Sequence, residues 1–164
     1  MKRRPEALEK AASAAILGEL EAIYRDVDAR HEGHGCPAST ECCRFGVTGR
    51  EPYVTSVELA LVVRAVARRG GRLSQKRPPS LAIVKDERVC PLLGADGRCS
   101  IYASRPLGCR TFFCDRATTP DAPSQTEVNA WVRAIQTVAA RHAPGGDRGR
   151  PLTRALADER LEPR

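Results

Sequence analysis

Seven cysteines in 164 residues are the side chains best equipped for chemistry, and they fall into two groups. Cys36, Cys42 and Cys43 lie in CPASTECCRFG, and Cys90, Cys99, Cys109 and Cys114 lie in CPLLGADGRCSIYASRPLGCRTFFC. An odd number of thiols cannot close entirely into intramolecular disulfides. The opening MKRRPEALEK begins basic, but Glu6, Glu9, Lys10 and Glu19 interrupt any apolar stretch of the signal-peptide kind. The expectation is a reducing, cytoplasmic setting, where clustered thiols serve as metal ligands or redox groups more often than as staples.

A metal would also solve a folding problem. Both cysteine groups sit in turn-rich segments that little regular structure can fix, in a chain with only 4% aromatic residues. Thiolate coordination contributes folding free energy directly, roughly 10 kcal/mol or more for structural zinc in small peptides. Tying two distant loops to one centre also removes chain entropy. Zinc takes four ligands in a tetrahedron and a 4Fe-4S cluster takes four thiolates, so an all-sulfur set suits both. The spacing is neither the C-x2-C-x2-C-x3-C-P run of a bacterial ferredoxin nor that of a zinc ribbon, since no C-x2-C pair occurs. Arg44, Arg98, Arg110 and Arg116 stand near cysteines, where positive charge lowers thiolate pKa and offsets the charge of a cluster. Adjacent side chains such as Cys42 and Cys43 point apart in most backbone conformations, so one of the pair is expected to miss a shared centre. Four to six ligands are therefore expected rather than seven.

Other chemistry is thin. His31, His34 and His142 are the only histidines; His34 lies two residues before Cys36 but reads as an exposed loop residue. No Ser/His/Asp arrangement, phosphate-cradling glycine loop or H-E-x-x-H is legible. Glu41 and Asp115 flank cysteines without a partner that marks an acid or base. Tyr102 and Trp131 read as core, and Phe112-Phe113 as a shield against water. Arg105-Pro106 is expected to shape the turn that presents Cys109, its guanidinium bonding nearby carbonyls.

The elements that must position these groups read as mainly α. Residues 5 to about 30 form an amphipathic helix with Leu8, Ala12, Ile16, Leu20, Ile23 and Val27 on its apolar stripe, stopped by Gly33 and Gly35. Thr55 with Glu58 makes a capping box before a second helix, expected to run to about Arg69 and end at Gly70-Gly71. A loop over 72–80 leads to a possible strand, LAIV, at 81–84. Asp96-Gly97 between apolar flanks predicts a short β-hairpin that draws Cys90 toward Cys99. Ser124 and Glu127 form a second capping box before a helix at 125–142 with Val128, Trp131, Val132, Ile135, Val138 and Ala139 inward. The expected architecture is one irregular cysteine-cluster domain over 1–143, with three main helices and a short hairpin around a metal site. Residues 144–164, rich in Gly, Pro and Arg, read as a flexible tail with at most a frayed helix at 152–161.

Composition narrows the alternatives. No apolar run is long enough to span a membrane. The net charge of +7 comes from 23 Arg and 4 Lys spread along the chain, without a dense basic arm interleaved with aromatics. A solvated basic surface is the reading, and nucleic acid is not expected as a partner.

The cysteine segments resemble the YkgJ-type cysteine-cluster proteins, the zinc- or iron-chelating CxxCxxCC domain. Cys90 with Leu92 or Leu93, then Cys99-x2-Tyr102-x2-Arg105-Pro106-x2-Cys109-Arg110, follows that family's C-x2-L…C-x-I-Y-x2-R-P-x2-C-R pattern. Cys36, Cys42 and Cys43 take the first, third and fourth positions of CxxCxxCC. Ser39 stands in the second, a departure that leaves one ligand of the pattern missing and makes Cys114 the candidate replacement. The resemblance covers about 36–116 and leaves out the first helix, the 125–142 helix and the tail. It implies a metal-binding protein holding an iron–sulfur cluster, 4Fe-4S favoured, or zinc, on ligands drawn from Cys36, Cys42, Cys43, Cys90, Cys99, Cys109 and Cys114. Flagellin lysine methylases carry a related cysteine domain, so a cluster-dependent methyltransferase- or oxidoreductase-like enzyme is one alternative, without catalytic residues to name. A zinc-stabilised nucleic-acid module is the other.

Overall fold

The computed structural model describes residues 3–32, 40–71, 88–111, 122–143 and 147–159, with the backbone alone for 3–11. Helix α1 spans Arg3–Ala29, α2 Phe45–Thr48, α3 Ser56–Arg68, α4 Leu107–Thr111, α5 Gln125–His142 and α6 Leu152–Asp158. Two-residue strands β1, Tyr53–Val54, and β2, Arg150–Pro151, pair antiparallel with Tyr53 opposite Pro151. The fold is mainly α, as its sequence implies. The candidate strand at 81–84 and the 72–80 loop lie outside the described residues, as do Cys36, Ser39, Cys114, His34, Phe112-Phe113, Asp115 and Arg116.

Helix α3 is the central element, and its ends follow directly from its sequence. At the start, the Thr55 backbone N–H donates to Glu58 Oε2 at 2.9 Å, the capping box expected there. At the end, Gly70 and Gly71 take positive φ of 91° and 70°, and their N–H groups return to Ala67 and Val66. Between these caps α3 is apolar on two faces. Val57 and Leu61 pack with Leu17, Leu20 and Val27 of α1 and with Trp131, Ile135 and Val138 of α5. Leu59, Val62 and Val66 pack with Phe45, Cys90, Leu92, Ile101 and the α6 residues Leu152, Ala155 and Leu156. One helix thus separates a three-helix half from a half built of turns, cysteines and α6.

The three long helices match their expected positions, with shifts of face on α1 and α5. Ala12 is exposed, and the buried stripe of α1 runs through Leu17, Leu20, Tyr24 and Val27. On α5, Val132 is 37% exposed while Trp131 is buried and donates its indole N–H to Asp26 at 2.7 Å.

Two local expectations change. The hairpin over 90–99 is reduced to a single antiparallel bridge, Leu93 with Cys99, around a tight turn. Within it Gly97 has φ 75°, and Gly94 N–H donates to the Arg98 carbonyl at 2.8 Å. The two-stranded sheet instead joins segments about a hundred residues apart, where short pairing leaves no alternating pattern to read. The second change concerns the chain after 144. Residues 147–158 carry β2 and α6, and Leu152, Ala155 and Leu156 are among the most buried side chains. Three apolar residues at helical spacing do this work inside an Arg- and Pro-rich stretch.

Candidate metal centre

The two cysteine groups meet through their backbones. Residues Glu41–Cys43 form one 3-10 turn, entered through Thr40, whose φ of 62° is the only positive value at a non-glycine position among the described residues. A β-branched residue in that conformation is strained, and such strain gathers at functional sites. Just after the turn, Arg44 bridges antiparallel to Val89. The Cys90 N–H donates to the Cys43 carbonyl at 2.7 Å and the Phe45 N–H to the Arg88 carbonyl at 2.7 Å. These two bonds set Cys43 beside Cys90 across 46 residues of chain.

The 3-10 turn also removes the expected divergence of Cys42 and Cys43. Successive side chains rotate by about 120° in such a turn instead of alternating sides as in a strand, so neighbours can face one space. Their Sγ atoms lie 3.8 Å apart. Both line a single recess with Cys90, Cys99 and Cys109, closed beneath by Phe45, Leu92, Ile101 and Leu152. Its walls enclose about 630 Å³, the open mouth included. Every described cysteine therefore reaches the same space.

Cys109 arrives there on a turn with its own frame. Residues Tyr102–Ser104 form a second 3-10 turn, Arg105 is extended, Pro106 is buried, and α4 begins at Leu107. Glu58 Oε1 accepts the Leu107 N–H at 2.9 Å and the Tyr24 hydroxyl at 2.9 Å. One buried carboxylate, 4% exposed, therefore caps α3 and fixes the start of α4 while tying both to α1. Arg110, 1% exposed, points away from the recess. It donates to the carbonyls of Arg105, at 2.9 Å, and Ala103, pairs with Asp28, and lies over the Tyr24 ring 4.1 Å from its centroid. Gly108 sits against Pro52, where a Cβ would come within 3.0 Å of the proline Cβ, so the residue before Cys109 has no room to grow.

Among the described residues Arg105 is the cation that lines the recess, a place the sequence offered to Arg44, Arg98, Arg110 and Arg116, the last of which lies outside the described residues. It lines the recess at 4% exposure, with its guanidinium 3.7 Å from the Tyr102 ring centroid. One terminal N–H donates to the Tyr102 carbonyl at 3.1 Å, as expected of a residue shaping this turn, and the other end faces Asp28 at 3.7 Å. Its charge favours the thiolates of Cys42 and Cys109. Tyr102, expected in the core, stands on the same wall.

The electrostatics of the thiols resist ionisation. The contact with Cys43, with burial behind it, pushes the Cys42 thiol far above the ordinary range. At Cys43 the contact with Cys42 lowers the value, but the hydrogen bond to Cys90, burial, and the charges of Cys90 and Cys99 outweigh it and push it up to about 12. Burial raises Cys109 well above the usual range, reinforced by Cys99, Cys43 and Cys42. Thiols crowded this way ionise together only with a compensating cation. A soft metal is such a cation, and the all-sulfur donor set matches it. Arg105 Nε and the Tyr102 hydroxyl, buried and without hydrogen-bond partners among the described residues, also fit a charged centre in this space. Among those residues no three donors already converge on one ion.

Of the sequence candidates, Cys42, Cys43, Cys90, Cys99 and Cys109 come together, while Cys36 and Cys114 lie outside the described residues. Glu58, Tyr24 and Asp28 escaped sequence reasoning; only Glu58 carried a signal, as the third residue of a capping box. His142 shares a 2.9 Å hydrogen bond with Ser56 Oγ, and neither residue lines the recess. No described helix is long and apolar enough to cross a membrane.

Searches among curated proteins and among solved structures return no match. A family model does match, over residues 34–131, and is described as "CxxCxxCC: Putative zinc- or iron-chelating domain". That span is more than half of the chain and runs beyond the 36–116 resemblance into the first turns of α5, as far as Trp131. Its two cysteine segments are the ones whose backbones pair beside Cys43 and Cys90, so the chain belongs to the CxxCxxCC family, the zinc- or iron-chelating domain.

Proposed function

We propose that the recess holds an iron–sulfur cluster, with ligands drawn from Cys43, Cys90, Cys99 and Cys109. Cys42 stands beside them, and Cys36 and Cys114 are named from the sequence alone. The observation that carries this reading is the convergence of five thiols from three chain segments on one apolar recess. Cys43 is their common neighbour: it touches Cys42 and Cys90, feels the charge of Cys99, and itself raises Cys109. One feature favours a cluster over a single zinc ion: the thiols are spread around the wall of a recess, which leaves room for a centre of several atoms. When bound, such a cluster supplies one-electron redox chemistry or a structural cross-link.

The protein's own part is definite. The Arg44–Val89 bridge brings the first two segments together, Glu58 and Arg110 hold the Cys109 turn, and the apolar floor keeps water from beneath the sulfurs. Iron and acid-labile sulfide near one cluster per chain in anaerobically purified protein, with a visible charge-transfer band, is the expected result. Stoichiometric zinc in a colourless protein would overturn the cluster and keep the centre. Neither metal would overturn both.

A further inference from the structure

Two polar groups on the cysteine recess have no use in the fold as it stands. Arg105 Nε and the Tyr102 hydroxyl are buried and lack hydrogen-bond partners among the described residues, although native cores rarely leave such groups unpaired. They share one wall, the guanidinium lying over the phenol ring 3.7 Å from its centroid. Arg105 cannot swing elsewhere to satisfy the Nε–H, because one end is bound to the Tyr102 carbonyl and the other faces Asp28. Nor is its charge already spent. Asp28 is shared with Arg110, and Arg110 is the closer partner of the two. What remains beside the sulfurs is a buried guanidinium, permanently charged, with its Nε edge open, next to a hydroxyl free to rotate.

We propose that Arg105 and Tyr102 are the outer hydrogen-bond donors of the metal centre: the Nε–H and O–H donate to thiolate or sulfide sulfur, and Arg105 offsets its negative charge. The inference rests on the reading of the recess as a metal centre and assigns the residues that tune it. Both are positioning residues, acting on the metal through its sulfur ligands. The assignment explains why the orphaned groups persist, since they are unsatisfied only while the sulfurs are protonated thiols. It also gives Arg105 a role that lysine cannot fill, because an ammonium has neither the Nε–H nor a flat face to lay on Tyr102.

The test is zinc binding measured in competition with a chromophoric chelator, beside thermal melting of the metal-free protein. Tyr102→Phe removes only the hydroxyl. It is expected to leave metal-free melting unchanged or raised, since an unpaired buried group is lost, and to weaken zinc binding about tenfold. Arg105→Lys is expected to weaken it by about 10- to 100-fold. In protein reconstituted with iron and sulfide, Tyr102→Phe should shift the reduction potential negative, because hydrogen bonds to sulfur favour the reduced cluster. A readout that needs no variant is the arginine Nε–H resonance of the wild-type protein, expected to shift and gain exchange protection on zinc loading. Tyr102→Phe with wild-type affinity and potential overturns the Tyr102 assignment. An Nε–H spectrum indifferent to zinc, or Arg105→Lys with wild-type affinity, overturns that of Arg105. A Tyr102→Phe protein that melts earlier without metal yet binds zinc normally shows a structural role and also overturns the inference. Wild-type protein that binds neither zinc nor an iron–sulfur cluster overturns the metal centre itself, and this inference with it.

Discussion

The two faces of α3 are held by different means. On one side, α1, α3 and α5, helices of 27, 13 and 18 residues, bury Leu, Val, Ile and Trp against one another. On the other, short turns, a two-stranded sheet and α6 surround five thiols, and the regular elements are two to seven residues long. The first half can persist on burial and hydrogen bonding alone. The second has an apolar floor but only short regular elements, and it gathers side chains that repel one another when charged. A metal centre would serve the half whose chain path is specified least by local structure.

Removing the metal is the largest way to separate the halves. Stripping it with a chelator should cost on the order of 10 kcal/mol of folding free energy, nearly all in the cysteine half. Hydrogen exchange should accelerate over 40–54 and 88–111, while amides of α1, α3 and α5 stay protected; equal loss everywhere would erase the distinction. Next comes Leu152→Ala, which opens a cavity under the recess from the distant end of the chain. A cost of about 3 kcal/mol is expected in denaturant unfolding. Glu58→Gln strikes the joint between the halves. Donors from Thr55, Tyr24 and Leu107 would meet an amide with one accepting oxygen, costing about 2 kcal/mol and loosening the Cys109 turn as well as α3. Thermal melts with and without metal should both fall; a drop in only one would assign Glu58 to a single half.

The smallest effect is confined to the helical half. Backbone and hydroxyl hydrogen bonds from Ser124, then the bond from Arg30, hold the Glu127 carboxyl down to about 2. A depressed carboxyl stabilises the fold in full above its unfolded pKa of about 4.3 and loses that contribution as pH falls toward 2. Acid titration followed by circular dichroism should therefore show α5 fraying at its start, and Glu127→Gln should flatten that dependence.

The same contrast governs what could be read from the sequence. The helices were legible because their signals are local: Thr55 with Glu58 and Ser124 with Glu127 mark starts, and Gly70-Gly71 marks an end. The kind of chemistry was legible from seven thiols, while the joining of the two cysteine groups follows from two backbone bonds that no local pattern announces. The frame around Cys109 was hidden because Asp28, Glu58 and Arg110 look like solvated helix and loop charges until they are found buried or facing one another. A helix near 152–161 was legible only as a frayed one, and its burial was hidden by composition: Leu152, Ala155 and Leu156 are too few to stand out among arginines.

Helix α3 has a further consequence, for how this protein can be divided. Its two apolar faces serve both halves, so whichever half keeps α3 exposes the face that the other had covered. The β1–β2 pairing adds a second tie, because the strand entering α3 is completed by residues near the far end of the chain. Neither half is a module that could be transplanted intact. A graft of this metal recess onto another scaffold would have to carry α3 and supply a new hydrophobic partner for its exposed side.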